Sequence, residues 1–187
     1  PAGSGEAYAA SLRRLLGVPT ITIDRRVDQL ALDSVALDNR KAARLAVDYL
    51  LRIGHRRIAV IAGREGVTTG EERLAGYRDA YEAAGIPADD TFVRFGNFRQ
   101  EDAYETTRRM MEGETRPTAF FALNNLMTIG TMRGLTDVGY ICPDHVSVAG
   151  VDDFDWATAF RPRLTTIAQP IEEMGRRTVD LLMERIG

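Results

Sequence analysis

Short apolar runs alternate with longer amphipathic segments along most of the chain. Apolar or β-branched runs that predict strands lie at 20–23, 58–62, 91–95, 119–123, 146–151 and 164–167. Segments with helical periodicity lie at 11–16, 40–51, 71–84, 100–111, 126–138 and 171–186. Because each connection between parallel strands needs a crossover, this alternation predicts an α/β fold with a parallel sheet.

Helix-capping residues support several of these boundaries. Asn39 is placed to cap the helix that begins at residue 40, and Gly54 follows its end. Thr68 and Glu71 have the spacing of a capping box before the next helix. The helix ends are therefore predicted by local chemistry as well as by periodicity.

Polar side chains follow most of the predicted strands. Ligands of open parallel sheets bind beyond the carboxyl ends of the strands. Asp24, Asn124 and Asp152 each come directly after an apolar run, and Gln169 lies just past the last one. The loop GNFRQ adds an aromatic ring, Phe98, among polar neighbours. Such donors, acceptors and an aromatic face suit a small polyhydroxylated or heterocyclic ligand.

The adjacent acids Asp152 and Asp153 leave several interpretations open. They could hold a metal, act as acid and base, cap a turn or bind a ligand. Paired glycosidase carboxyls lie about 5 to 9.5 Å apart across a substrate, which neighbouring residues do not match. Successive residues of a strand point to opposite faces. We therefore expect Asp152 to face a crevice and Asp153 to fix the local turn.

Composition narrows the possible classes. The chain has 44% hydrophobic and 27% charged residues and a net charge of −3, which fits a globular protein and argues against direct nucleic-acid binding. No apolar run approaches the roughly 20 residues that span a bilayer. The single cysteine, Cys142, forms no metal-binding spacing with His55 or His145. Without a catalytic motif, we expect no enzyme activity, cofactor or metal, and a cytoplasmic location.

The first residues raise a separate expectation. The segment PAGSGEAYAASLRRLLG begins without methionine and enters a helix-like pattern almost at once. This start predicts that the chain is a piece of a longer protein, cut after a preceding strand.

Taken together, the motifs resemble the effector-binding core of the lactose-repressor (LacI/GalR) family of transcription regulators. The most specific stretches are CPDHVSVAGVDDFDWA at 142–157 and PRLTTIAQPIEEMGRRTVDLL at 162–182. Further matching stretches run in family order: VPTITIDRR, DNRKAARLAVDYLLRIGHRRIAVIAG, ERLAGYRDAYEAAG and FFALNNLMTIGTMRGL. The resemblance covers nearly the whole chain.

This resemblance implies a two-lobed, periplasmic-binding-protein-like fold with parallel sheets and an incomplete first lobe. Residues 1–37 and 170–187 would form part of the N-terminal lobe, and residues 38–169 the C-terminal lobe. It also implies a homodimeric repressor that senses a sugar or similar metabolite. Operator DNA would be bound only through an upstream helix-turn-helix. The alternative is a sugar-binding component of a transport system, which shares the fold.

The family's ligand contacts map onto individual residues of this chain. They fall at Asp24, Arg73, Asn124, Asp152 and Gln169, with Phe98 where the family often stacks an aromatic ring on its ligand. The strand-end argument selects all of these except Arg73, which only the resemblance distinguishes among many arginines. Two positions depart from the family pattern. Asn125 stands where an acid is common, and VDD replaces a frequent aromatic before the acid pair.

Overall fold

The computed structural model describes residues 5–15, 17–27, 29–154, 157 and 159–187. The strands are β1 (Ile21–Ile23), β2 (Asp33–Val35), β3 (Ile58–Ala62), β4 (Val93–Phe95), β5 (Ala119–Ala122), β6 (Ser147–Val151) and β7 (Thr165–Ile167). The α-helices are α1 (Gly5–Leu12), α2 (Asn39–Arg52), α3 (Thr68–Ala83), α4 (Gln100–Glu112), α5 (Asn125–Asp137) and α6 (Ile171–Ile186). Short 3₁₀ turns cover Arg13–Leu15 and Asp90–Phe92.

The main sheet has five parallel strands in the order β4-β3-β5-β6-β7. The predicted α/β class and parallel sheet are therefore confirmed. The chain moves from β3 outward to β4 and then returns past β3 to β5. Because crossovers between parallel strands are right-handed, this reversal places α3 on one face of the sheet and α4 and α5 on the other. Helix α2 packs against α3, and α4 packs against α5.

The core lies in the middle of this sheet. Every residue of β3 and β5 is buried, and most of β6 is too. Continuous apolar strands of this kind are expected where helices cover both faces of a parallel sheet. The ends of these strands are consequently rigid positions for side chains that extend from the sheet edge.

A second, two-stranded parallel sheet is formed by β1 and β2. Helix α6 packs against both strands, and Arg185 near its end pairs with Asp33 at 2.6 Å. Strand β2 was not predicted, because three residues that begin with an aspartate give no strand periodicity. Within the described residues, no helix is long and apolar enough to cross a membrane.

Two predicted element boundaries are wrong. Instead of a helix over 11–16, the structure has α1 ending at Leu12 and a 3₁₀ turn over Arg13–Leu15; Leu16 lies outside the described residues. The predicted strand over 91–95 is shorter, since Asp89 accepts a hydrogen bond from the Thr91 N–H and starts a 3₁₀ turn. In that segment a local side-chain bond competes with the strand.

The predicted caps need correction as well. Asp38, not Asn39, caps α2 by accepting a hydrogen bond from the Lys41 N–H at 3.0 Å. The Thr68 and Glu71 capping box does not form, because the Thr68 hydroxyl donates to the Arg26 carbonyl and Glu71 accepts from the Gly66 N–H. Gly54 does follow the end of α2, with φ of +104°. Local spacing therefore predicted the ends of these helices but not which side chains cap them.

Half-buried His55 connects the starts of two strands. Its ring nitrogens lie 2.9 Å from the hydroxyls of Thr118 and Ser147, which precede or begin β5 and β6. Burial lowers the pKa of His55 from its ordinary value. Below the unfolded-state pKa of about 6.5, the unfolded chain therefore binds more protons than the folded chain.

We predict a pH-dependent loss of stability from this histidine. The free energy of unfolding should fall as pH drops from 7 through the interval between the unfolded and the lowered folded pKa. The His55→Gln variant should lose stability less steeply over the same range, because glutamine does not titrate. Thermal unfolding of both proteins at pH 7, 6 and 5 measures the difference. Equal slopes for the two proteins would contradict the prediction.

Candidate ligand-binding site

The carboxyl ends of β3, β5 and β6 lie at one edge of the main sheet. The strand order reverses between β3 and β5, which defines the crevice where ligands bind in open parallel sheets. Gly63 follows β3, Leu123 and Asn124 follow β5, and Asp152 follows β6. The topology therefore brings two residues selected from strand ends, Asn124 and Asp152, to one edge.

Arg73, from the second turn of α3, occupies the centre of this edge. Its side chain is only 3% exposed. Its Nε donates to Oδ1 of Asn39 at 2.8 Å, and Nη1 donates to the Leu123 carbonyl at 2.5 Å. Burial lowers the pKa of Arg73, while the carboxylates of Asp152 and Asp24 raise it. A buried guanidinium that keeps its charge beside a carboxylate is an oriented donor.

Asp152 projects from the end of β6 in a left-handed backbone conformation, with φ of +72°. Its N–H donates to the Ile167 carbonyl at 3.0 Å, which extends the pairing with β7 by one residue. Oδ1 accepts from Nε2 of Gln169 at 2.5 Å and lies 4.0 Å from Nη2 of Arg73. Aspartate tolerates this conformation better than most residues. The turn thus aims the carboxylate at Arg73 and Gln169.

Asp24 repeats this local arrangement at the end of β1. Its φ is +69°, and its N–H donates to the Val35 carbonyl at 2.9 Å. Oδ1 of Asp24 is buried and has no hydrogen-bond partner among the described residues. Because buried polar atoms are nearly always hydrogen-bonded, an orphaned carboxylate oxygen suits a ligand that donates to it.

Phe98 supplies the apolar surface beside these groups. A Cβ added at Gly63 would lie 2.1 Å from the ring, and one at Gly70 would lie 3.1 Å from it. Both glycines are therefore needed for the ring to reach this position. The guanidinium carbon of Arg25 lies 5.8 Å from the ring centroid, within the range of a cation–π contact.

The side chain of Asn124 has fewer contacts with the other candidate ligand-binding residues. Oδ1 accepts from the Met127 N–H at 2.9 Å, so the side chain caps α5. Within the described part of the chain, its side chain makes no hydrogen bond to the other five candidates, and it approaches Arg73 only through the neighbouring Leu123 carbonyl. Asn125 accepts from the following N–H, on Leu126, at 2.7 Å. Among the described residues the amide nitrogen of Asn124 makes no hydrogen bond, so it can donate to a ligand.

Asp153 has a separate local role. Its Oδ1 accepts from the Phe154 N–H at 3.0 Å and lies 3.5 Å from the Thr166 hydroxyl. These contacts are those expected of a residue that fixes the turn. The described residues hold no group of three or more His, Cys, Asp or Glu side chains that could bind a metal.

The structure adds participants that the sequence did not select. Asn39 accepts a hydrogen bond from Arg73 and donates one to Glu72. The guanidinium of Arg25 lies over the ring of Phe98. Arg25 follows Asp24 directly at the end of a predicted strand, but it was not chosen as a candidate ligand contact. Asn39 was assigned to a helix cap, and nothing in the local pattern distinguishes a capping asparagine from a buried one.

Comparison with known proteins fits this architecture. Residues 47–187 match a family model described as a periplasmic binding protein-like domain. The HTH-type transcriptional regulator CelR of Thermobifida fusca is 39% identical over 152 residues, covering 81% of this chain and 45% of that protein. The HTH-type transcriptional repressor PurR of Vibrio atlanticus is 33% identical over 181 residues, covering 97% of this chain and 54% of that protein.

A solved structure agrees with the sequence relatives. The complex of the transcriptional regulator CelR with cellobiose superimposes with a TM-score of 0.82 at 36% identity, covering 91% of this chain and 53% of that chain. The chain thus spans about half the length of the curated relatives it matches.

The fold and its matches define the chain as a periplasmic-binding-protein-like domain. Within that class it belongs to the LacI family, as its motifs indicated, and corresponds to the effector-binding core of the family's regulators. Because the relatives are transcriptional regulators, this assignment favours a regulator over the transport-component alternative.

Proposed function

We propose that this chain is the effector-binding and dimerisation core of a LacI-type transcriptional repressor that senses a sugar or similar small metabolite. The observation that carries the proposal is the buried guanidinium of Arg73, which lies 4.0 Å from the carboxylate of Asp152 at the carboxyl edge of the sheet. Carboxylates accept from hydroxyl groups, and the guanidinium donates in a fixed fork. A ligand with the wrong hydroxyl pattern leaves these groups unpaired, which gives specificity.

The six candidate residues would share the work of recognition. Asp24 offers an oxygen without a partner, Asp152 and Gln169 form an acceptor and donor pair, and Phe98 offers an apolar face. Asn124 contributes its amide nitrogen. Aromatic rings commonly stack on the apolar side of a sugar. The relative CelR was solved with cellobiose, a ligand of this chemistry.

The proposed lobes explain how binding becomes a signal. Residues 1–37 and 170–187 would belong to one lobe and residues 38–169 to the other, with Asp24 facing the remaining groups across the cleft. A ligand that bridges the cleft favours one relative orientation, with a coupling free energy of typically about 1–3 kcal/mol. In a homodimer this shift would move helix-turn-helix domains upstream of this core and change operator binding.

The proposed role is non-enzymatic and cytoplasmic, since operator DNA is the output. The alternative, a solute-binding component of a transport system, predicts a different sequence upstream of Pro1. A helix-turn-helix encoded upstream of Pro1 supports the regulator. A signal peptide at that position would overturn it.

Thermal unfolding with candidate ligands tests the binding proposal. The panel should contain cellobiose, other mono- and disaccharides, sugar phosphates, polyols and nucleobases. A ligand present at 100 times its dissociation constant stabilises the folded state by about 2.7 kcal/mol and raises the melting temperature. We expect stabilisation by at least one polyhydroxylated compound. If nucleobases are the only compounds in the panel that raise the melting temperature, the sugar assignment is wrong.

Asp152→Asn is expected to weaken binding of the best ligand of this panel by about 2 kcal/mol. The dissociation constant would rise roughly 30-fold, because a charge-assisted hydrogen bond is lost. Asparagine keeps the size of the side chain and tolerates the positive φ, which alanine does not. The adjacent Asp153→Asn is the control and should leave affinity unchanged. Titration calorimetry measures both variants. Equal affinity for Asp152→Asn and wild type would remove Asp152 from the site.

A further inference from the structure

Asn39, the first residue of α2, is the most buried polar side chain behind the candidate site. It is 1% exposed. Its Nδ2 donates to the Leu37 carbonyl at 3.2 Å and to Oε2 of Glu72 at 3.0 Å. Its Oδ1 accepts from Nε of Arg73 at 2.8 Å. Both amide hydrogens and the carbonyl oxygen therefore have partners.

These partners fix the orientation of the amide. A flipped Asn39 would set its NH₂ against the Nε–H of Arg73 and its oxygen against the carboxylate of Glu72. Both contacts would be repulsive. The helix does not need Asn39 as its cap, because Asp38 accepts from the Lys41 N–H. The burial of this amide is thus explained by the two neighbouring α3 side chains it joins.

Glu72 extends the same contacts away from the site. Its Oε1 accepts from Nη2 of Arg26 at 2.6 Å, while Oε2 accepts from Asn39. The hydroxyl of Thr68 donates to the Arg26 carbonyl at 3.4 Å. Helix α3 therefore holds the segment that follows β1 by a side-chain and a backbone contact. Asp24, the orphaned acid of the candidate site, lies in that segment.

The result is one unbroken series of polar contacts across the cleft edge. It runs in the order Arg26, Glu72, Asn39, Arg73, Asp152 and Gln169. Its two ends lie in the segment after β1 and the segment after β7. In the lobe division proposed above, Arg26 belongs to the N-terminal lobe, and Gln169 is the last residue of the C-terminal lobe.

We propose that Asn39 is a positioning residue that couples Arg73 to the Arg26–Glu72 ion pair. It holds the guanidinium in its orientation and links that orientation to the segment carrying Asp24. The inference rests on the proposed role of Arg73 in effector binding. A ligand that draws Arg73 toward itself would also shift Asn39 and Glu72. Because Glu72 pairs with Arg26, the segment that carries Asp24 would move with them.

Hydrogen exchange in the protein without added ligand tests this role. Nuclear magnetic resonance follows exchange of the Arg73 Nε–H and of the backbone amides of Arg25 to Val27. In Asn39→Leu, which removes the amide at nearly constant size, both should exchange at least tenfold faster than in wild type. In Asn39→Asp, the new carboxylate still accepts from Arg73 but repels Glu72. We therefore expect the Arg73 proton to stay protected while the backbone amides become faster.

A second substitution provides a rescue that a merely structural role would not give. In Asn39→Asp combined with Glu72→Gln, the glutamine amide can donate to the aspartate, so exchange of the Arg25 to Val27 amides should return toward the wild-type rate. Asn97→Asp is the matched control, since Asn97 also donates to a carboxylate, Asp102 at 2.8 Å, outside this series. It should change none of these rates.

The possible failures are distinct. Unchanged Arg73 exchange in Asn39→Leu would overturn the positioning role. Faster Arg73 exchange with unchanged backbone exchange at Arg25 to Val27 would overturn the coupling to Arg26. If Asn39→Leu does not fold, the Asn39→Asp variant and its rescue decide both points. Because no measurement uses a ligand, a failed ligand panel would overturn the proposed function without affecting this test.

Discussion

Replacing Arg73 with methionine is expected to lower the free energy of unfolding by about 3–5 kcal/mol, the usual cost of removing one partner from a buried charged pair. The variant leaves Oδ1 of Asn39 and the Leu123 carbonyl without their donor, and it leaves Asp152 without the nearby positive charge. Methionine fills much of the volume but donates no hydrogen bond. Urea denaturation followed by circular dichroism measures the loss.

The matched control lies on the same helix. Arg78 pairs with Asp90 at 3.1 Å, but its side chain is 53% exposed. Exposed ion pairs contribute at most about 1 kcal/mol, so Arg78→Met should change stability by no more than this. Arg73→Lys should fall between the two variants, because an ammonium keeps the charge but lacks the planar fork that reaches Asn39 and Leu123 together. A loss below about 1 kcal/mol in Arg73→Met would contradict the buried-pair argument.

The order of strands and helices could be predicted because apolar periodicity records burial directly. Runs such as IAVIA become fully buried strands, and the parallel topology follows from the crossovers. Strand β2 was not predicted, because its three residues are stabilised by pairing with β1 and packing against α6. Contacts of that kind leave no local pattern in the sequence.

The candidate site was predictable wherever topology alone selects a residue. Asp152 and Gln169 follow neighbouring strands of the main sheet, which places them at one edge, and Asp24 follows a strand of the smaller sheet. Arg73 lies within a helix among many arginines, so only the family resemblance singled it out. Its burial depends on Asn39 and Leu123, which are 34 and 50 residues distant along the chain.

Asn39 shows why the remaining part could not be predicted. Asp38 and Asn39 are both good N-caps, and local preference does not decide between them. The decision is tertiary: Asp38 takes the helix end, and the neutral amide of Asn39 fits between an arginine donor and a carboxylate acceptor. The sequence holds the residues, while their partners are set by how α3 lies on α2.

That helix contact depends on a glycine, and so does its counterpart on the opposite face of the sheet. A Cβ added at Gly76 of α3 would lie 2.1 Å from the Arg40 carbonyl oxygen and 2.9 Å from Cβ of Ala43. A Cβ added at Gly130 of α5 would lie 2.1 Å from the Gln100 carbonyl oxygen. In each pair a glycine in one helix approaches a carbonyl in the first turn of the other, within reach of a Cα–H···O contact.

We expect Gly76→Ala and Gly130→Ala each to lower the free energy of unfolding by about 3 kcal/mol, at the upper end of overpacking costs. The backbone carbonyls cannot move without displacing α2 or α4, so the gain of about 1 kcal/mol in helix propensity is outweighed. Gly175→Ala in α6 is the control, because nothing lies within 4 Å of the added Cβ. It should stabilise the protein by about 0.5–1 kcal/mol. Urea denaturation should therefore show a lower free energy of unfolding for Gly76→Ala and Gly130→Ala and a higher one for Gly175→Ala. Stabilisation in all three variants would mean that the helices do not pack this closely in solution.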